Sequence, residues 1–188
     1  MCKEGSGDHL SSQYNRDTVL ETPLLFLLPT KAQELPLLME IEQHPENRPE
    51  LFVSTLEEHE FHRTDENFRL FSIYDKVDEK PSEMIGYAMV QLDFHSQTFL
   101  LRRFAFLKKD RGYGRQTLIA LIKHCFDDLG LNRFYLDVYP HNKRAIHLYE
   151  GVGLIWEGTL RENYCYEGKF LDQRLYSMLR REYEKQNW

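Results

Sequence analysis

Between Lys109 and Arg115 the chain sets two glycines, Gly112 and Gly114, among three basic residues, and it then runs into the apolar-periodic stretch "TLIALIKHCF". A turn of this composition feeding a helix suits anion binding. The first N–H groups of a helix lack intrahelical partners, the helix dipole puts partial positive charge there, and glycine lets an anion reach the backbone. Arg111 and Arg115 add side-chain charge beside the glycines, so a phosphate or pyrophosphate is the expected guest. Two glycines alone also fit an ordinary tight turn with solvated arginines. The loop G-x-x-x-x-G-K-[ST] is absent, and Thr117 occupies the third glycine position of G-x-G-x-x-G, which argues against both of those nucleotide loops.

A second constellation follows the strand-like run "RFYLDVY", which Pro140 ends. Asn142, Ala145 and Tyr149 are spaced three and four apart and share one face of a helix that Asn142 can cap. Other chemistries find little support. Cys2, Cys125 and Cys165 are scattered with no C-x-x-C spacing, as in a reducing compartment without a metal site. Cys125 falls on an apolar helical stripe and reads as core. "HEFH" brings His59 and His62 together, but two ligands do not make a zinc site and H-E-x-x-H is absent, so they read as surface histidines. "EEHE" and "RREYEK" read as solvated helix faces, and no nucleophilic triad is legible.

The elements that must position these residues are readable in outline. A chain of 188 residues is the size of one domain with a real core. Residues 1–21 are polar and predict a flexible tail, leaving 22–188 as a single domain. Leu24–Leu28 reads as a buried strand; Thr30 is the expected cap of a helix through Leu35, Leu38, Met39 and Ile41, and a second short helix starts near Thr55. "FRLFSIYD", "MIGYAMVQLDF" and "TFLLRRFAFL" alternate as strands joined by short polar turns, predicting an antiparallel meander. Leu118, Ile122, Cys125 and Leu129 keep helical spacing up to Gly130, and two closing strands, "LIWEGTLRE" and "KFLDQRLYSML", follow the Asn142 helix.

Net charge bears on partners. A value of -6 argues against nucleic acid, whose phosphates need a clustered basic surface, and it suits a cationic partner. No apolar run approaches the ~20 residues of a membrane span, and the polar start lacks the apolar core of a signal peptide, so no membrane partner and a cytoplasmic location are expected.

"KDRGYGRQTL" followed by "LDVYPHNKRAIHLYEGVGLIWEGTLRE" resembles the GCN5-related N-acetyltransferase (GNAT) superfamily, nearest its ribosomal-protein and small-amine branch. The family pattern Q/R-x-x-G-x-G/A is matched from Lys109 to Gly114, N-x-x-A-x-x-x-Y by Asn142, Ala145 and Tyr149, and G-[FL] by Gly153 and Leu154. Lys109 replaces the usual Arg or Gln, Asp110 stands where glycine is frequent, and Leu154 replaces the commoner Phe; none removes a phosphate-binding glycine. The clear likeness spans Thr98 to Leu179.

The resemblance implies an α+β acyl-CoA N-acyltransferase fold: a mostly antiparallel sheet of six or seven strands with one splayed parallel pair, and about four flanking helices. It implies transfer of an acetyl group from acetyl-CoA, as cosubstrate, to an amine acceptor, either a small amine or polyamine or a protein N-terminus. Backbone amides of Arg111, Gly112, Tyr113, Gly114, Arg115 and Gln116 would hold the pyrophosphate. Phe104, Ala105 and Phe106 would lend backbone groups to the pantetheine arm, with Asn142 as cap, cofactor contact or both. Tyr149 would be the catalytic acid that protonates or hydrogen-bonds the departing thiolate, and no metal is expected. For the base, Asp93, Glu83 and Asp172 are candidates without a choice among them. Acceptor contacts are expected from about Lys31 to His62 and from the loop near Tyr164 to Lys169. Long closing strands make a homodimer plausible. A CoA-binding sensor or scaffold that has lost turnover is the alternative from another class.

Overall fold

Leu25 and Leu27 point one way and are completely buried, as expected of a strand with one face on a core. The computed structural model describes residues 15–109, 111–166 and 168–188. Within it β1 (Leu20–Glu21) pairs antiparallel with β2 (Leu25–Pro29), Leu20 facing Leu27. Leu20 is buried, and the Arg16 guanidinium donates to the carbonyls of Arg63, Thr64 and Asp65. Arg16 and Leu20, within the stretch expected as a tail, thus make contacts with the rest of the fold, while positions 1–14 lie outside the described residues.

Thr30 does not cap the next helix. Its hydroxyl accepts from Ser72 Oγ at 3.0 Å, and Glu34 takes the Lys31 N–H at 2.8 Å. One 3₁₀ turn, Ala32–Glu34, therefore precedes α1 (Leu35–Gln43), with Pro36 in its first turn. α2 (Leu56–Thr64) starts where expected, closed by a capping box: Thr55 Oγ1 accepts from the Glu58 N–H, and the Glu58 carboxylate takes the Thr55 N–H.

The meander is β3 (Phe68–Val77), β4 (Lys80–Asp93) and β5 (Thr98–Phe106), antiparallel throughout. Its hairpins put Asp78, Glu79 and Gln97 at positive φ. Then come α3 (Tyr113–Lys123), a π-helical turn at His124–Asp128, β6 (Arg133–Val138), α4 (Lys143–Gly151), β7 (Ile155–Tyr166), β8 (Lys169–Leu179) and α5 (Arg180–Tyr183).

These strands form one sheet in the order β1-β2-β3-β4-β5-β6-β8-β7. It has eight strands, not six or seven, because β1, two residues long, carries no readable period. Every neighbouring pair is antiparallel except β5 and β6. Their parallel ladder contains only Thr98–Arg133, Phe99–Phe134 and Leu100–Tyr135, after which the strands separate.

Two apolar clusters cover the two faces. The larger unites Phe99, Leu118, Phe134, Leu136, Ile146 and Tyr149 under α3 and α4; the smaller packs Leu35, Leu38 and Ile41 of α1 on Tyr87, Met89 and Ala105. Cys125 is core, as its stripe predicts. Because Phe134, Leu136 and Val138 of β6 are buried in the larger cluster, alternation puts Tyr135 and Asp137 on the opposite face, the side of α1 and α2. Among the described residues no helix is long and apolar enough to cross a membrane.

Candidate active site

A cavity of about 950 Å³ opens where β5 and β6 part. One end is made of backbone. Gly112 is the residue before α3, with φ 78°, a conformation that costs other residues about 1–2 kcal/mol, and a Cβ there would meet open space within 4 Å. Its position leaves the N–H groups of Tyr113, Gly114 and Arg115 in the first turn, where helical partners are lacking. Arg111, Gly112, Tyr113, Gly114 and Arg115 all line the cavity. Gln116 does not: its N–H donates to the Gly112 carbonyl at 3.2 Å and its side chain accepts from the Leu24 N–H. It supports the turn from behind, and its amide, already bonded within the helix, is not free for the phosphate contact the motif suggested. Asp110 lies outside the described residues. Lys109 reaches the Glu46 carbonyl at 2.6 Å, and Arg115 donates to the Gly151 carbonyl at 2.9 Å, joining the start of α3 to the end of α4.

The middle of the cavity is the edge of β5. Phe104, Ala105 and Phe106 line it; β4 pairs them on one side, and on the other the ladder to β6 has already ended. Main-chain groups there are open to an extended polar ligand, apart from the Phe106 carbonyl, which accepts from Asn47 Nδ2 at 3.1 Å. Asn142 caps α4, accepting the Ala145 N–H at 3.0 Å, and also lines the cavity.

Tyr149 is 6% exposed, lines the cavity and lies 6.3 Å from the Phe104 ring, centroid to centroid. Burial, then the negative charges of Asp137 and Glu50, push its phenol well above the usual tyrosine value. Its hydroxyl stays protonated at any working pH.

The other end is built of side chains from distant segments. Asp137 (β6), Glu50 and Phe52 (the α1–α2 connection), Tyr139, Tyr164 and Gln173 all line it. Tyr164 meets Phe52 and Tyr139 edge to face at 6.2 and 6.0 Å. Asp137 accepts from Gln173 Nε2 at 2.5 Å; burial raises its carboxyl above the ordinary 3.8, against a smaller opposing pull from Arg102. Glu50 keeps a buried Oε2 without a hydrogen-bond partner among the described residues, although His141 Nε2 approaches within 3.3 Å.

The carboxylates proposed from sequence lie elsewhere. Asp93 accepts the Ser96 N–H in a turn, Glu83 pairs with Lys108 on the surface, and Asp172 accepts the Glu162 N–H near the sheet edge. Asp137 was missed, although a lone acid inside the strand "RFYLDVY" was its visible signal. The surface reading of "HEFH" also fails: His59 is fully buried, with Nε2 3.1 Å from Glu42.

A helix start with unpaired N–H groups, a splayed β edge, a buried tyrosine and a half-buried carboxylate thus meet in one cavity. The sequence profile of the acetyltransferase (GNAT) family matches residues 35–154. The chain belongs to that family. Among curated relatives of this GNAT chain, the spermidine N(1)-acetyltransferase of Vibrio cholerae serotype O1 is 32% identical over 73 residues, 39% of the chain and 42% of that protein. An uncharacterized N-acetyltransferase, p20, of Bacillus licheniformis is 33% identical over 73 residues, 39% and 41% of the two chains. The matched stretch therefore spans about two fifths of each relative. Solved GNAT structures share the fold far more widely. A GCN5-related N-acetyltransferase from Brucella melitensis superposes with TM-score 0.74 at 19% identity, covering 89% of this chain and 81% of that one. Spermidine N-acetyltransferase from Vibrio cholerae in complex with CoA and spermine gives TM-score 0.73 at 20% identity over 86% and 98%.

Proposed function

We propose that this GNAT-family chain transfers the acetyl group of acetyl-CoA to a primary amine by direct attack on the thioester. The observation that carries the reading is the cavity between β5 and β6, with the start of α3 at one end and the half-buried Asp137 carboxylate at the other, which supports an anion at the first and a proton acceptor at the second. The first turn of α3 takes the pyrophosphate, the open edge of β5 takes the pantetheine arm, and the acceptor enters beside Asp137.

Proton inventory assigns the roles. An amine of pKa ~10 is charged at pH 7, and freeing its lone pair costs about 4 kcal/mol at 1.36 kcal/mol per unit. Asp137 accepts that proton; a carboxylate raised above its ordinary value is better matched to the task than a solvated one. The neutral nitrogen then forms a bond to the carbonyl carbon and the C–S bond breaks. A thiol of pKa ~8.5 is a stronger acid than a tyrosine of ~10, so full transfer from Tyr149 to the thiolate is uphill by about 2 kcal/mol even without the upward shift. Tyr149 therefore donates a hydrogen bond to the leaving sulfur, and the proton that ends there comes from the nitrogen.

Two carboxylates and an aromatic wall favour a cationic acceptor. The spermidine N(1)-acetyltransferase relative supports a polyamine within that class. The name of another solved relative, a dodecameric spermidine N-acetyltransferase, supports self-association, which sedimentation would test. Calorimetry with acetyl-CoA, then turnover on spermidine, spermine and a peptide with a free N-terminus, tests the reading. Tight binding with transfer to an amine is expected. Absence of acetyl-CoA binding would sink the proposal, and binding without transfer to any amine would favour the sensor or scaffold alternative.

A further inference from the structure

A polar cluster lies buried beneath the acceptor end of the cavity. Glu42 of α1 is fully buried, yet groups from four other segments converge on its carboxylate: His59 Nε2 of α2 at 3.1 Å, the Tyr87 hydroxyl of β4 at 2.5 Å, the Ser54 N–H at 2.9 Å and Arg103 Nη1 of β5 at 3.2 Å. Burial alone would raise this carboxyl. Hydrogen bonds from His59 and Tyr87, the charge of His59 and the Ser54 N–H more than offset it and hold the group below the ordinary 4.5. A carboxylate held this deep by four partners needs an explanation, because apolar residues of similar volume often stabilise a fold as well as a buried ion pair does.

Arg103 supplies one. Its Nη1 donates to Glu42 and to Ser54 Oγ at 2.8 Å, its guanidinium lies 5.3 Å from the Phe52 ring centroid, and it lines the cavity next to Phe104. A single planar group thus ties the strand offered to the cofactor to the connection that carries Glu50 and Phe52. We infer that Arg103 is a positioning residue for the acceptor, clamped by Glu42 so that residues 50–54 stand against Tyr164 at the reacting end. The inference rests on the acetyl-transfer reading of the cavity. Lysine cannot replace arginine in this role, since it lacks the planar fork that serves a carboxylate, a hydroxyl and a ring face together.

The test compares the parent with Arg103→Lys and with Phe52→Ala, whose half-exposed side chain leaves the buried cluster intact. With the best amine of the panel above, KM for the amine is expected to rise about tenfold in each variant, while acetyl-CoA affinity by calorimetry stays within about twofold. The double variant is expected to add little beyond either single one, as for groups acting through one contact. A fall in kcat with both KM values unchanged would mean a merely structural role and overturn the inference. Hydrogen exchange gives a readout independent of turnover: residues 44–55 should exchange faster in Arg103→Lys, with the meander unchanged. Unaltered exchange there overturns the inference even if no amine is acetylated, whereas the failure of acetyl transfer itself shows as an inactive parent.

Discussion

The two ends of the cavity are built from different materials. At the cofactor end the recognising groups are main-chain: the first turn of α3 behind Gly112 and the unpaired edge of β5. At the acceptor end they are side chains brought from the α1–α2 connection, β6, β7 and β8. Backbone recognition needs a local shape that one short motif encodes and most substitutions leave intact. Side-chain recognition depends on distant residues meeting and can be changed one residue at a time. One chain can therefore hold its cosubstrate constant while its acceptor varies.

Substitutions should separate the two ends cleanly. The largest effect is expected from Asp137→Asn: kcat/KM for the amine should fall by about 10²–10⁴-fold, the usual range for a lost general base, with acetyl-CoA affinity intact by calorimetry. Coupled loss of acetyl-CoA binding would break the division. Tyr149→Phe should lower kcat by about 10²-fold, as loss of one donor to a developing charge does, with little change in either KM. Gly112→Asp should weaken acetyl-CoA by at least about tenfold in a titration, because the left-handed φ strains any side chain and the carboxylate opposes the pyrophosphate.

The pH profile sharpens the same line. Asp137 must be ionised to act, and burial raises its carboxyl above 3.8, so kcat/KM should climb with pH through that raised value, and this acid limb should vanish in Asp137→Asn. The smallest effect is reserved for Asn142→Ala, which removes the α4 cap and should cost about 1 kcal/mol by denaturant titration with only a minor change at the cofactor end.

Legibility followed the same division. The glycine turn, the Asn142 cap, the meander and the buried stripe with Cys125 could be read because each is a pattern within about ten residues. Gln116 was misplaced within the motif: an amide in the right turn is of no use to an anion once the helix has claimed it. Asp137, Glu50 and Arg103 carried no such pattern. Their environments come from contacts across 36 to 91 positions of chain, as in Gln173 to Asp137, Arg103 to Glu42 and His141 to Glu50. His59 misled for a related reason: a histidine amid glutamates looks solvated until the carboxylate from α1 is seen to lie against it.

The short ladder between β5 and β6 has a mechanical meaning. Only three residue pairs bridge β1–β5 to β6–β8 in the sheet, so, the two-residue edge strand β1 aside, this is the line along which the sheet has its shortest ladder. On the proposed reading, a pantetheine arm lying there would act as a strand made of another polymer, and the fold would borrow from its cosubstrate the cross-links its own chain withholds. By mass action a ligand at a hundred times its dissociation constant adds about 2.7 kcal/mol to unfolding. Cellular lifetime of the protein would then rise and fall with the supply of acetyl-CoA.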